Sequence, residues 1–494
     1  MRYPYLSPVM LGLCLAVSIY AKTQGADARA QPLPKVRVAK DGRTFATDAG
    51  QPFVPFGVTY YRPGTGWAPQ VWKQFDAEAT RRDFERMKEL RINCVRVFLS
   101  YGSFYTDPGS LRPEGLEKFD RFLEIAEQAG IYVHPTGPDH WEGQPNWKPV
   151  SVSDPRTLDF TVRFWKLFAA RYRGRHVLFA YDLLNEPHIG WNGEILTPQW
   201  NIWLERKYQT ADKLAAAWGK TNELKFGQVA VPEAKDALKS RELLDFQSFR
   251  ESLADEWTRR QAEAIKAADP EALVTVGFLQ TSVPSVLWSG VGDYAGFRPE
   301  RQAKFLDFLE IHFYPLAHGA YEYKNEAEEL ANLAYLEGVV REVARAGKPV
   351  ALAEFGWYGG AEKPTFDRGV HPAASEAQQA RYLSRAVEVS RGFVTGWLNW
   401  GLHDHPGASD CSELTGLLTA DDKIKEWGRA FQELSGRYSA TRIGPAKIGP
   451  RPTLDWDACL TSAAAAREFQ AEYLREFLAD GERRNVETLK TIKR

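Results

Sequence analysis

Cysteine is scarce: the chain has four in 494 residues. That is too few for a disulfide scaffold. No Cys-x-x-Cys pair and no Cys/His ligand spacing occur, so a structural zinc site has no support. Neither sign of charge dominates. Sixty-three Lys and Arg face 64 Asp and Glu, a net charge of −1, which excludes a nucleic-acid binder working through a broad basic field. Long apolar runs are also missing. The longest, Val9 to Ala21, falls short of the ~18 residues a membrane span needs. There is no G-x-G-x-x-G after the first strand, no phosphate loop and no H-E-x-x-H. No repeat stands out at a period of 20–50 residues.

What is present is a large potential core. Hydrophobic residues make up 44% of the chain and aromatics 13%, with 16 Trp, 20 Tyr and 27 Phe, so intrinsic disorder is excluded. Residues 1–28 read as a signal peptide, with Arg2 before the apolar stretch and Ala26-Asp27-Ala28 as an A-x-A-like cleavage site. An uncleaved anchor is the alternative. Cleavage leaves 61 basic and 63 acidic residues, or −2. A secreted or periplasmic location is therefore expected, with no membrane span after cleavage. Oligomeric state is not legible. Cys94 lies in an expected buried strand, and Cys411 and Cys459 could pair.

From residue 53 onward, short apolar runs alternate with helical patterns. Strands are expected at Phe53–Tyr61, Cys94–Ser100, Ile131–Gly137, Val177–Leu184, Leu273–Leu279, Phe305–Tyr314, Val350–Phe355 and Phe393–Trp400. Helices are expected at Ala77–Leu90, Glu114–Ala129, Asp154–Tyr172, Arg241–Ala268, Glu326–Ala346, Ser375–Arg391 and Lys425–Ser435. Near-continuous hydrophobicity in each strand is the mark of parallel strands covered on both faces. The fold class is therefore α/β, a (β/α)8 TIM barrel with long catalytic-face loops and a short C-terminal helical extension. A doubly wound open sheet is the weaker alternative. The barrel domain is assigned to 29–436. The segment 437–494 reads as a linker followed by a helix at Ala463–Leu478, packed on the barrel. A long polar insertion separates the fourth strand from Arg241.

Barrel chemistry sits at the C-terminal ends of the strands. The fourth run ends Asn185-Glu186-Pro187 and the seventh Glu354-Phe355-Gly356. Two carboxylates converging over a barrel mouth suit glycoside hydrolysis, one to donate a proton and one to attack or to activate water. A single strand-end Glu is as readily an ion-pair or capping residue, but two on strands four and seven are harder to explain that way.

These motifs resemble clan A glycoside hydrolases, most closely family 5, the cellulases and β-mannanases. The resemblance covers about residues 51–436. It implies Glu186 as acid/base and Glu354 as nucleophile of a retaining mechanism, with negative Glu354 raising the pKa of Glu186. It implies substrate contact or support from Arg96, Asn185, His312 and Tyr314, and a sugar platform at Trp400. Trp397, one strand period out of step, packs outward. His140 and Trp141 after strand three and Trp357 after strand seven are further binding candidates. Eight Trp (67, 72, 141, 147, 191, 288, 357 and 400) fall at or beyond expected strand ends, where a sugar-binding mouth would gather them. Residues Trp203–Tyr208 and Leu214–Gly219 resemble a segment of family 42 β-galactosidases.

His403-Asp404-His405 invites a metal reading. A structural or substrate-contacting loop is preferred, since the implied mechanism needs no metal or other cofactor. The expected partner is a β-linked carbohydrate. The expected function is a retaining β-glycoside hydrolase, endo-β-1,4-mannanase or cellulase-like, with an exo-acting β-galactosidase or related β-glycosidase as alternative. A non-catalytic carbohydrate-binding barrel is the alternative of another class.

Overall fold

Eight strands pair in parallel, in chain order, and close on themselves. They are β1 Phe56–Thr59, β2 Cys94–Ser100, β3 Tyr132–Asp139, β4 Tyr181–Asn185, β5 Val274–Phe278, β6 Leu309–Phe313, β7 Val350–Phe355 and β8 Trp397–Asn399. This computed structural model describes residues 32–492 except 64–69, 108, 144, 147–150, 192, 222–223, 288, 318–319, 322–324, 358–373 and 409–410. The expected signal peptide, Trp67, Trp147 and Trp288 thus lie outside the described residues. All barrel strand residues are buried except Leu184 and Asn185 at the end of β4. Helices on the outer face and packed side chains within demand such burial.

The helices start where the sequence supplies caps. They are α1 Ala77–Glu89, α2 Pro113–Ala129, α3 Pro155–Tyr172, α4 Gly193–Tyr208, α5 Ala211–Trp218, α6 Arg241–Ala268, α7 Glu326–Ala344, α8 Glu376–Ser390, α9 Glu426–Tyr438 and α10 Ala463–Ile492. Asp76, Asp154, Ser240 and Asn325 accept backbone N–H bonds at the starts of α1, α3, α6 and α7. Ser375 and Gln378 form a capping box on α8. Gly130 ends α2 at φ +75°, a left-handed turn that only glycine adopts without cost.

The structure departs from the sequence expectation in four places. The first apolar run splits at Val54-Pro55. Phe53 belongs to a separate antiparallel sheet of Val36–Val38, Phe45–Thr47 and Pro52–Phe53. Its Val36, Phe45 and Phe53 pack on Tyr132, Phe179, Leu273 and Phe308, residues at or just before strand starts, so this sheet plugs the N-terminal end of the barrel. Between β5 and β6, where no helix is expected, the α-helical residues among those described are Pro299–Gln302. The insertion after β4 is not simply polar. α4 and α5 pack on α6 around their own core of Leu196, Trp200, Leu204, Leu214, Val229, Phe246 and Phe249. Finally, Cys459, a candidate for pairing, is a free buried thiol, and the Cys411 side chain lies outside the described ones.

α10 runs longer than its apolar pattern. Its Tyr473 is buried and donates to Glu337 of α7, while Arg451 pairs with both Glu337 and Asp480. Among the described residues, no helix is long and apolar enough to cross a membrane.

Candidate active site

β7 delivers Glu354 to the mouth of the barrel, and β2 delivers Arg96 beneath it. Both side chains are almost fully buried. Arg96 Nη1 donates to Glu354 Oε1. The Tyr314 hydroxyl, one residue past β6, donates to Glu354 Oε2 at 2.8 Å. Burial raises the Glu354 carboxyl, while His312, Arg96 and the Tyr314 hydrogen bond pull it back toward the ionised form.

Glu186 follows β4 directly. It takes φ +48°, a left-handed conformation that costs energy in any residue with a Cβ. Its N–H donates to the Gly277 carbonyl on β5. Among the described residues its carboxylate meets one donor-capable side chain: His312 Nδ1 lies 3.0 Å from Glu186 Oε1 and 3.6 Å from Glu354 Oε1. Burial lowers the His312 pKa, with the Glu354 charge opposing. Desolvation raises the Glu186 carboxyl to about 7, with Arg96 opposing and Asp139 adding to the rise. The two carboxyls also repel, since the Glu186 charge raises Glu354, so burial stands beside the expected coupling to Glu354 and does not replace it. Some 31% of the side chain still faces the mouth. Glu186 and Glu354 offer oxygens within 4.8 Å of one another.

A second polar layer lies below. Arg96 Nη2 donates to Asp182 Oδ2 at 2.9 Å and to Asn185 Oδ1 at 2.8 Å. Asp182 also accepts from the Thr136 hydroxyl and from Gly277 N–H. His134 Nε2 meets Glu310 Oε1 at 2.6 Å. Gly277 makes room for this network. A Cβ there would stand 3.0 Å from His312 Nε2, 3.1 Å from Asp182 Oδ2 and 3.2 Å from Arg96 Nη2. His134, Asp182 and Glu310 were missed in the sequence. Each interrupts an apolar strand with an ionisable residue, and that interruption is the signal that would have found them.

Aromatic rings wall one side of the mouth. Trp400 packs against Tyr61 and Phe98 at 5.5 and 6.0 Å, and its indole N–H donates to Ser412 Oγ at 2.8 Å. Tyr314 and Trp141 complete the cluster. His140 lies against Trp141 with ring centres 4.2 Å apart, and its Nδ1 is 2.6 Å from Asp139 Oδ1. A cavity of about 500 Å³ opens beside Glu186, lined by Asp139, His140, Trp141, Asn185 and His188 among others.

The other expected platforms go elsewhere. Trp357 is fully buried, edge-on to Tyr382 at 4.0 Å, and offers no open face. Trp72 is a core residue whose N–H points to the Phe98 carbonyl. Trp191 packs on Phe246 of the insertion core. Trp397 packs outward against Phe56 and donates to Ser390 of α8. In the His403-Asp404-His405 run, Asp404 pairs with buried Lys425 and accepts from Gly416 N–H. His403 meets Asp422 at 3.0 Å, and His405 lies edge-on to Tyr61. These contacts are those of a structural loop.

A model of the Cellulase family, glycosyl hydrolase family 5, matches residues 48–405. Among curated proteins, the chain is 27% identical over 144 residues to a β-xylosidase of Phanerodontia chrysosporium, covering 27% of this chain and 29% of that protein. It is 24% identical over 288 residues to a β-galactosidase of Thermus thermophilus, covering 53% and 41%. The matches thus span less than half the length of these relatives. Among solved structures, an exo-β-1,4-mannosidase of Opitutaceae bacterium strain TAV5 shares the fold, with a TM-score of 0.58 at 20% identity over 81% of this chain and 62% of that one.

Proposed function

The chain belongs to glycosyl hydrolase family 5, and on that premise we propose that it is a retaining β-glycoside hydrolase acting on β-linked poly- or oligosaccharides. The observation that carries the proposal is the carboxylate pair. Oxygens of Glu186 and Glu354 lie within 4.8 Å, an approach that favours the ~5–5.5 Å carboxyl spacing of direct attack over the ~6.5–9.5 Å that leaves room for a water.

The roles follow from the two environments. Glu354, held by Arg96 and Tyr314, is the anion and attacks the anomeric carbon. Glu186, desolvated and raised to about 7, carries the proton that passes to the leaving oxygen as the glycosidic bond breaks. The product of this step is a glycosyl ester on Glu354. Water then attacks the anomeric carbon, gives its proton to Glu186 and releases Glu354 as carboxylate. The Asn185 carbonyl is taken by Arg96, which leaves its amide nitrogen for a sugar hydroxyl in the transition state. Trp400 and the rings around it would face the sugar, and the cavity beside Glu186 would receive the leaving group.

Two finer readings divide on chain length. Endo action on β-1,4-mannan or cellulose is favoured by the name of the family model. Exo action is favoured by the relatives, named as a β-xylosidase, a β-galactosidase and an exo-β-1,4-mannosidase. The test is a hydrolysis panel of mannan, glucomannan, cellulose, xylan and aryl β-glycosides. Wild type would run beside Glu186→Gln and Glu354→Gln. Equal release of sugar by wild type and variants would remove both Glu from the mechanism. Polymer cleaved internally supports endo action, and monosaccharide release from chain ends supports exo action.

A further inference from the structure

Arg250 on α6 is fully buried, yet among the described residues no carboxylate accepts a hydrogen bond from it. A buried guanidinium without such a partner is expensive. Nε and Nη2 both donate to the Ile189 carbonyl, with the Nε bond at 2.7 Å. Nη2 also reaches the Tyr294 carbonyl, and Nη1 donates to Gln247 Oε1 at 2.6 Å. The planar fork lies between the rings of Trp191 and Tyr294, 5.1 and 5.8 Å from their centres. His188 Nε2 is 3.5 Å away. Burial and this neighbouring cation hold His188 at about 4, so it is neutral.

Ile189 is three residues after Glu186, and the segment between them is the loop that leaves β4. Tyr294 belongs to the loop that leaves β5. The same two loops are joined by the Ile189 N–H donating to the Ala295 carbonyl at 2.9 Å. They also approach closely at Gly296, where a Cβ would stand 3.3 Å from that of Ile189. Arg250 is therefore a staple across both loops. One end of the stapled segment is Glu186, alone among the candidate site residues in a left-handed backbone conformation. Strained conformations persist only where the surroundings over-determine them.

We propose that Arg250 is a positioning residue for Glu186, holding the loop after β4 so that the Glu186 carboxyl stays aimed at the leaving-group oxygen. It touches neither substrate nor reacting atoms. The proposal rests on the reading of Glu186 as proton donor. It also gives the insertion after β4 a role, because Trp191, the lid on the guanidinium, packs on Phe246 of the insertion core.

A misaimed acid harms only those substrates that need its proton. The test compares kcat/KM for an unactivated β-linked oligosaccharide with that for a 2,4-dinitrophenyl β-glycoside of the same sugar, whose leaving group departs without protonation. The enzymes are wild type, Glu186→Gln, Arg250→Met and Arg250→Lys. A misplacement of about 1 Å can cost on the order of 10²-fold. Arg250→Met is expected to lose about that factor on the oligosaccharide and less than about threefold on the dinitrophenyl substrate. Arg250→Lys, which keeps the charge but not the fork, is expected to fall between Met and wild type. The ratio of the two kcat/KM values does not depend on how much of the enzyme is folded, so a poorly folding variant still reports. Equal losses on both substrates in the Arg250 variants, with Glu186→Gln selective, would overturn the staple and leave the acid assignment standing. No selectivity in Glu186→Gln would overturn the assignment itself.

Discussion

The two carboxylates at the mouth of the barrel are held in opposite ways. Glu354 sits on a regular strand and accepts bonds from a guanidinium and a phenol. Glu186 takes a left-handed conformation beyond its strand and, among the described residues, meets one imidazole. The first site is built from charge, the second from burial and backbone placement. Charge fixes an anion, and desolvation keeps a proton on a carboxyl at neutral pH. On the proposed roles, one chemical group would serve two tasks because its surroundings differ.

Substitutions that cross this divide should separate the two sites. The largest effect is expected at Glu354. Glu354→Gln removes the attacking oxygen and should lower kcat/KM by at least about 10⁴-fold on every substrate, activated or not. Glu186→Gln should cost about 10²–10⁴-fold on unactivated oligosaccharides and far less on dinitrophenyl glycosides in kcat/KM. Arg96→Met tests the charge-built side. It leaves Asp182 and Glu354 buried without their cation. Thermal or denaturant unfolding should show a loss of about 3–5 kcal/mol, and the acid limb of the pH profile should move up as the Glu354 carboxyl rises. Tyr314→Phe removes one hydrogen bond to a charged group, worth about 1.5–3 kcal/mol, or about 10–160-fold in kcat. The mildest test uses wild type alone. Since Glu186 must be protonated to donate, kcat/KM should fall as pH rises through about 7. A basic limb near 4.5 would mean that burial does not set this group.

The barrel was legible because parallel strands covered on both faces leave near-continuous apolar runs. The strand-end Glu residues were legible because each follows such a run directly. The lower layer was not. Asp182 meets Arg96 and Gly277, and His134 meets Glu310, only because closing the barrel turns residues far apart in the chain toward one interior. The tryptophans were overread. Trp141 and Trp400 join the aromatic cluster beside Glu354, whereas Trp72 and Trp357 are buried in the core and Trp191, partly buried, packs on Phe246. An indole brings the same large apolar surface to a packing seam as to a sugar face, so position after a strand does not tell the two apart. The insertion was misjudged for a related reason. Its apolar residues are spaced among charges and assemble a core only once α4, α5 and α6 come together.

The most direct test of the division of roles is the anomeric configuration of the azide adducts formed by Glu354→Gly and Glu186→Gly. Each variant would be given an activated aryl β-glycoside and sodium azide, with the products read by NMR. With Glu354 as nucleophile, azide displaces the aglycone once in Glu354→Gly and yields the α-glycosyl azide. In Glu186→Gly azide intercepts the Glu354 ester and yields the β-glycosyl azide. The opposite pairing of products would contradict the account.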